Sequence, residues 1–231
     1  LVVSLIKIKK RYNKNGFIIE NCYNEKNFLK IKMFVCEKIY NILQVRNDLK
    51  KYHLLPKSIQ SKHSINFSSK NRFFNPPASI KKIILNKKTK KLIKFIIGKN
   101  RLWKDKNGSI SFRIVRPGLK DGYPYSRKEW GPAKKVLSIW MPIIGNSKNE
   151  TLKILPKSHL KEYKKYLPKQ NKFQKEEFRL AEKINEKKFK RFYIKYGSIL
   201  FYHPKLIHSE NVEQSKITRI NLEFRMNPIK K

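Results

Sequence analysis

The chain has 231 residues, a length that suits one domain, and its 39% hydrophobic residues, including 14 Phe and 11 Tyr, exclude an intrinsically disordered protein. A formal net charge of +40 indicates a polyanionic partner, either nucleic acid or an anionic membrane. Because Lys, Asn and Ile share A/T-rich codons, genome composition is an alternative source of this charge. We expect nonspecific binding to polyanions in both cases.

The compartment is predicted from the cysteines and the first residues. Cys22 and Cys36 are fourteen residues apart and form neither a disulfide framework nor a CxxC site, which is typical of buried thiols in a reducing compartment. The opening LVVSLIKIKK has six residues before its first lysine, too few for a signal-peptide core. No apolar run approaches the roughly 20 residues of a membrane span. We therefore expect a cytoplasmic protein.

The first hundred residues are predicted to be mainly helical. GFIIEN (16–21) is typical of a short strand, and residues 24–43 place apolar side chains at helical spacing with Asn24 as the N-cap. Residues 76–98 predict one or two helices, with proline at the start and glycine at the end.

The segment between these helices, residues 46–76, is polar and irregular. Its two histidines, His53 and His63, belong to no recognisable pattern, and we expect both on the surface.

After residue 100 short alternating runs replace the helical spacing. The dipeptide Asn107–Gly108 lies between two such runs and predicts a hairpin. A Lys- and Glu-rich insert at about 160–190 is predicted to be helical and solvated. Further strands are predicted at 135–143, 151–155, 191–196, 197–203 and 217–226.

Helices followed by six or more short strands, without helices that alternate with the strands, predict an antiparallel sandwich or barrel. We therefore expect a single domain over residues 1–231 that is mainly β with N-terminal helices. Residues 1–100 would form a helical cover and residues 101–228 a jelly-roll core.

The block FRIVRPGLKDGYP…EW…KVLSIWMPI…TLKILPKSH…YGSILFYHPKLIHSENVEQSKITRINLEF resembles the phytanoyl-CoA dioxygenase family over roughly residues 112–224. The matching features are, in order, Arg-Pro before a loop, a Trp on a central strand, LPKSH like the family's Pro-Gly-Ser-His, and Gly-Ser before a strand leading to His and Arg. The resemblance implies a double-stranded β-helix (a cupin-like jelly roll) and oxygenase chemistry that depends on iron(II) and 2-oxoglutarate.

In such proteins two His and one carboxylate bind iron(II), and the first His and the carboxylate are two residues apart because such residues share a strand face. By resemblance, His208 matches the distal His. Arg219, eleven residues later, matches the Arg that binds the distal carboxylate of 2-oxoglutarate. Asn221 stands where the family commonly has Ser in the co-substrate pocket. Arg113 and Trp140 are further candidates for that pocket; the alternatives are a β-edge arginine and a core tryptophan.

The other two metal ligands of the family are replaced. Anchoring DGYPYSRKEWG on Asp121, Pro124 and Trp130 places Ser126 where the His belongs and Lys128 where the Asp belongs. A hydroxyl is a poor iron ligand, and an ammonium group repels the cation. The sequence therefore predicts an impaired metal site.

Two alternatives would restore part of the site. A register slip by one would let Glu129 act with His208, although such a slip turns every side chain of the strand to the other face. His203 is the other candidate ligand, but it lies five residues from His208 with Pro204 between them, so only an irregular turn would bring the two together.

Three functions follow from these readings. The first is a phytanoyl-CoA dioxygenase-like protein with an impaired metal site that binds a small-molecule substrate or anionic ligand. The second is an active iron(II)/2-oxoglutarate-dependent hydroxylase with unusual ligation. The third is a basic nucleic-acid-binding protein. Iron(II) and 2-oxoglutarate are the expected cofactors if the chain is an active enzyme, and none is expected otherwise.

Overall fold

The structure is a computed structural model of the chain. It describes residues 2–103, 106–119, 121, 126–127, 136–147, 151–163, 165–166, 178–180, 185–209 and 215–229. The helices in these ranges are α1 (Val2–Asn15), α2 (Glu25–Leu43), α3 (Lys57–Gln60), α4 (His63–Asn66), α5 (Ser69–Arg72), α6 (Ala78–Ile84) and α7 (Lys87–Ile97). Short 3₁₀ turns lie at Leu49–Leu54, Ser158–Leu160 and Glu186–Lys188.

The strands alternate between two sheets along much of the chain. They are β1 (Phe17–Asn21), β2 (Phe73–Phe74), β3 (Asn100–Leu102), β4 (Ile110–Val115), β5 (Ser126–Arg127), β6 (Leu137–Ile144), β7 (Lys153–Ile154), β8 (Lys165–Tyr166), β9 (Phe178–Leu180), β10 (Lys190–Arg191), β11 (Ser198–Tyr202), β12 (His208–Ser209) and β13 (Arg219–Pro228).

The two sheets form the predicted double-stranded β-helix. The first sheet has the order β1-β11-β6-β13-β4-β2, with β3 also paired to β13, and the second has the order β10-β7-β12-β5-β9-β8. From β4 to β7, and again from β10 to β13, each successive strand joins the other sheet. The fold class is therefore confirmed: a mainly antiparallel jelly roll with N-terminal helices.

The helical cover forms where the apolar spacing predicted it. The Asn24 side chain accepts a hydrogen bond of 2.9 Å from the Asn27 backbone N–H, which confirms the predicted N-cap of α2. One face of α2 is buried over its whole length by Phe28, Ile31, Val35, Ile39 and Leu43. The predicted helical stretch at 76–98 forms two helices, α6 and α7. Helix α1 was not predicted.

The first sheet presents two different faces because side chains alternate along each strand. On β13, Ile220, Leu222 and Phe224 pack in the same apolar core as Ile31 and Val35 of α2. The intervening residues of β13 therefore face the second sheet, inside the barrel. A second apolar cluster lies there, with Trp140, Leu152, Ile154, Ile194, Leu200, Tyr202 and Leu206.

Three local predictions were wrong. Strand β3 pairs with the end of β13 rather than with β4, so Asn107–Gly108 does not close a hairpin between those two strands. In the described part of the 160–190 insert, β8, β9 and a 3₁₀ turn form instead of the predicted helix, and residues 164, 167–177 and 181–184 lie outside the described residues. Within the run predicted at 191–196, Arg191 is the one residue in strand, since β10 ends there and residues 192–196 form no strand pairing.

Two further properties concern the thiols and the helices. Cys22 and Cys36 are free, and burial raises the pKa of Cys22 to about 11, so this thiol stays protonated.

Within the described ranges, no helix combines the length and the apolar character that crossing a membrane requires.

Gly145 provides a test of how tightly β6 meets the start of β13. Its φ is +63°, and an added Cβ would collide with the carbonyl oxygen of Thr218, the residue before Arg219. Gly118 has a similar φ of +66°, but an added Cβ there would meet open space. Gly118→Ala should therefore lower the free energy of unfolding by about 1–2 kcal/mol, the cost of placing a side chain on left-handed backbone. Gly145→Ala should cost about 3 kcal/mol or more, because the collision adds to that cost.

Urea unfolding of the two variants and the wild type measures both losses. Equal losses in the two glycine variants would show that β6 and β13 do not approach each other as closely as described.

Candidate functional site

Arg219 begins β13 and is fully buried, with 0% of its surface exposed. Because Ile220 packs in the core under the helices, Arg219 faces the barrel interior. Its guanidinium carbon lies 5.8 Å from the centroid of the Trp140 ring on the neighbouring strand β6, which is a cation–π contact. Low dielectric around a buried charge strengthens its attraction for an anion.

The next residues on the same face of β13 form a polar ladder with β4. Asn221 is paired in register with Arg113, and its side-chain amide donates a hydrogen bond of 2.7 Å to Oε1 of Glu223. The Nε of Arg113 lies 3.5 Å from the same carboxylate oxygen. The Arg113–Glu223 pair is formally neutral.

One atom of the ladder has a hydrogen-bonding capacity that the described residues leave unused. The Oδ1 atom of Asn221 is buried and accepts no hydrogen bond from any of them. Because the Asn221 N–H group is the donor to Glu223, the carbonyl end of this amide must be the free one. A buried acceptor of this kind is suited to a water molecule or a ligand donor.

His208 lies at the start of β12 with 1% of its surface exposed. Its Nδ1 is 2.8 Å from the carbonyl oxygen of Leu206, and since a carbonyl only accepts, Nδ1 carries the proton. In the neutral ring Nε2 then holds the lone pair, which is the arrangement of a metal-binding histidine. The ring also makes an edge contact with Tyr202, with the centroids 5.0 Å apart.

Ser126 is the β5 residue in register with His208, and Ile154 is in register with His208 on the other side. A slip of β5 by one residue would have put Arg127 in that position. In the observed pairing, Ser126 is the strand neighbour of His208, the residue predicted to be the distal ligand. Lys128 and Glu129 lie outside the described residues, so their predicted positions stay predictions.

His203 has different neighbours from His208. Its ring centroid is 5.2 Å from that of His159 and 6.4 Å from that of Tyr12 on α1, and its Nδ1 accepts a hydrogen bond from the Lys205 backbone. Over the described ranges, no three side chains among His, Cys, Asp and Glu form a group that could hold a metal ion.

A small cavity of about 10 Å³ borders the polar ladder, room for roughly one water molecule. The cavity touches β13 at Glu223, Phe224 and Arg225, so it lies further along the strand than Arg219. Its polar lining comes from Ser109, Ser111, Ser138, Tyr202, Glu223 and Arg225, and Phe73 and Trp103 flank it.

The helical cover is tied to the strand that carries Arg219. The backbone N–H of Thr218 donates to the carbonyl oxygen of Lys50 at 2.8 Å. The backbone N–H of His53 and its Nδ1 lie 3.2 and 3.0 Å from the Thr218 hydroxyl. These three contacts fix the residue directly before Arg219, so the cover helps to position the buried guanidinium.

A second set of contacts ties the cover to the chain that leads to β5. Arg116 binds both carboxylate oxygens of Asp121 at 2.7 Å and also donates to the Gln60 side chain at 2.9 Å. His63 Nε2 lies 3.7 Å from Asp121, and its Nδ1 lies 3.0 Å from the Tyr52 hydroxyl. This cluster of Tyr52, Gln60, His63, Arg116 and Asp121 is called the cover cluster below.

Burial and charge set the protonation of the cover cluster. Burial lowers the pKa of His63 to about 4, although the carboxylate of Asp121 acts in the opposite direction. Burial alone would raise the pKa of Asp121, but hydrogen bonds and charge from Arg116 hold it below its ordinary value. A neutral His63 therefore lies beside an ionised Arg116–Asp121 pair.

The expectation that His63 lies on the surface is wrong, because its side chain is only 12% exposed. His53 is half-buried rather than on an open surface. No sequence pattern indicated these partners, since the residues that bind the two histidines are up to 165 positions away. For Glu223, by contrast, the sequence did carry a signal. It lies two residues from Asn221 on one strand, so both side chains were expected on the same face.

No protein-family model and no curated protein matches the chain. Solved structures do resemble it. The non-heme monooxygenase ThoJ superimposes with a TM-score of 0.63 at 14% sequence identity, over 96% of this chain and 77% of ThoJ.

Two further structures were determined with bound ligands. The epimerase SnoN, in complex with Fe³⁺, alpha ketoglutarate and nogalamycin RO, gives a TM-score of 0.59 at 12% identity over 99% of this chain and 85% of its own. EctD from S. alaskensis, with 2-oxoglutarate and 5-hydroxyectoine, gives 0.59 at 11% identity over 96% and 76%. At such identities these likenesses show the fold, and function has to be argued from the residues of this chain.

The low pKa of His63 predicts a pH-dependent loss of stability. The unfolded chain takes up this proton near pH 6.5, whereas the folded protein takes it up only near pH 4. The unfolded state therefore binds more protons in this window, and stability falls as the pH decreases from about 6.5 to 4. The loss for one such group is up to about 3 kcal/mol.

In His63→Gln this loss should be absent. Urea unfolding of the wild type and the variant at several pH values across the window checks it. An identical pH profile in the two proteins would contradict the assignment.

Proposed function

We propose that this chain is a phytanoyl-CoA dioxygenase-like protein with an impaired metal site, which binds a small carboxylate ligand of the 2-oxoglutarate class inside its barrel. The observation that carries the proposal is the fully buried guanidinium of Arg219 on the inner face of β13, stacked on Trp140.

The chemistry of a guanidinium defines the ligand class. Its planar fork of N–H donors matches the two oxygens of a carboxylate, and a charge-assisted bidentate pair is about twice as strong as neutral hydrogen bonds. The neighbouring Arg113 is paired with Glu223, and the guanidinium of Arg219 lies on the same inner face of the sheet. The SnoN and EctD structures of the same fold were solved with alpha ketoglutarate or 2-oxoglutarate, which supports this ligand for the present chain.

The residues at the expected iron position fit the metal poorly. His208 has the tautomer of a metal ligand, but Ser126 is the residue in register with it, and a hydroxyl is a weak ligand for iron(II). By resemblance Lys128 stands where the carboxylate belongs, and an ammonium group there would repel iron. We therefore derive no oxidation step, and we propose that the protein binds its ligand without oxidising it.

An active hydroxylase remains the alternative. It requires a second and a third ligand beside His208, and Glu129 and His203 are the candidates. His203 lies among Tyr12 and His159, which does not favour its joining His208. Glu129 would have to join His208 from a strand whose observed register places Ser126 opposite it.

Substitution of Arg219 tests the anion site. Arg219→Lys keeps the charge but loses the bidentate fork, so the affinity for 2-oxoglutarate should fall about 10- to 100-fold. Arg225→Lys is the matched control, because Arg225 lies further along the same strand and stacks on Trp103 instead. Calorimetric titration of metal-free protein with 2-oxoglutarate measures both. An unchanged affinity in Arg219→Lys, or an equal loss in the control, would contradict the role of Arg219.

Restoring the two replaced residues tests the impaired metal site. The double variant Ser126→His with Lys128→Asp should bind iron(II) at least about 10-fold more tightly than the wild type, since metal affinity depends on the ligand set. The double variant Ser126→Ala with Lys128→Ala removes the same side chains without supplying ligands and should show no such gain. Anaerobic calorimetry with iron(II) gives the affinities.

If the wild type already binds iron(II) as tightly as the restored variant, the metal site is not impaired and the active hydroxylase replaces our proposal.

A further inference from the structure

The acidic residues of the chain are distributed unevenly. The whole chain has 16 Asp and Glu, but none lies between Asp48 and Asp105, a stretch of 56 residues that contains 16 Lys and Arg. An even distribution would place about four acidic residues there, by simple proportion with the whole chain. A/T-rich codons account for many lysines, but they do not remove Asp and Glu from one segment. Residues 49–104, which include the second half of the helical cover, are therefore more uniformly basic than composition alone predicts.

Helix α7 concentrates this charge. It has Lys87, Lys88, Lys90, Lys91 and Lys94 among its 11 residues, and all five side chains are exposed. Its apolar side, with Leu92, Ile93 and Ile96, is buried in the core. The whole solvent-facing side of α7 is thus cationic.

Helix α1 packs beside α7 and extends the same surface. Lys9 lies over the ring of Phe95 of α7, with Nζ 5.6 Å from the centroid, which brings the exposed sides of the two helices together. Among the 14 residues of α1 are four lysines and one arginine, and none is acidic. Arg11 is 3.9 Å from Glu20, a residue of β1. The exposed faces of α1 and α7 together are called the basic helix pair.

We infer that the basic helix pair binds the phosphate backbone of nucleic acid without sequence specificity. Ten cations on two adjacent helices match a polyphosphate, because lysine recognises phosphate as a point charge and needs no base contact. Helices of 14 and 11 residues are about 20 and 16 Å long, which corresponds to roughly five to six base pairs.

An anionic membrane fits this surface less well. A helix that lies on a membrane inserts an apolar face between the lipids. In the basic helix pair that face is already in the protein core, where Ile8 and Tyr12 of α1 and Leu92 of α7 belong to the same apolar cluster. Among the described side chains of the pair, Ile6 is the one large apolar group that is exposed, at 45%.

Two variants of equal charge test the inference. The first replaces Lys87, Lys88, Lys90 and Lys91 by Gln, and the second replaces, again by Gln, Lys187, Lys188, Lys190 and Lys195, which are also exposed but lie outside the basic helix pair. Each removes four charges from +40. Gln is a good helix former, so the fold should be kept, and circular dichroism and the Tm check this for both variants.

Fluorescence anisotropy with a labelled mixed-sequence DNA duplex of about 20 base pairs, in increasing salt, measures binding. The α7 variant should lose at least about 10-fold in affinity near 0.15 M salt, and the slope of log affinity against log salt should decrease by about three to four. The control variant should lose less than about 2-fold.

Equal losses in the two variants would overturn the inference, because the charge would then act as a diffuse surface property. The absence of measurable duplex binding by the wild type would also overturn it. Sedimentation with phosphatidylserine–phosphatidylcholine vesicles is the third arm: tighter α7-dependent binding of the wild type to vesicles than to duplex would make the surface a membrane site instead.

Discussion

Burial of a guanidinium inside the barrel is the constraint on which the site depends. Removing a charge from water is costly, so a buried Arg is retained where the surrounding residues compensate it. Trp140 provides a π face for Arg219, and the Arg113–Glu223–Asn221 ladder beside it is hydrogen-bonded and formally neutral. The inner face of β13 is thus polar and charged, while its other face is apolar and packs in the core with the helices. One strand therefore supports both the core and the site.

The helical cover contributes to the site through two separate anchors. The first anchor is the set of hydrogen bonds that join Lys50 and His53 to Thr218, the residue before β13. The second is the cover cluster, in which Gln60 and His63 of the cover contact the Arg116–Asp121 pair before β5. Both anchors connect the cover to the two strands whose residues define the site, β13 and β5. The same cover carries the basic helix pair on its outer side, so its inner contacts position the site and its outer charges face solvent.

The fold could be predicted from the sequence because its signals are periodic. Alternation marked β13, short apolar runs marked β6 and β11, and helical spacing with an Asn24 cap marked α2. The prediction of a hairpin at Asn107–Gly108 was wrong because strand pairing depends on the whole sheet, and β3 pairs with the end of the longer strand β13. In the site, the spacing of His208 and Arg219 was available from resemblance, and Ser126 proved to be the residue in register with His208. The ties of His53 to Thr218 and of His63 to Tyr52 and Asp121 were not predictable, because they join distant segments without any local pattern.

The central claim is that the barrel binds a carboxylate ligand through Arg219 without a complete iron site. Anaerobic titration of the metal-free wild-type protein with iron(II), with and without 2-oxoglutarate, tests it most directly. Our account predicts that 2-oxoglutarate binds equally well with and without iron and that no visible charge-transfer band of a ternary complex develops. A band that forms with both additions and disappears in His208→Ala would contradict it, because His208 would then belong to a working iron centre.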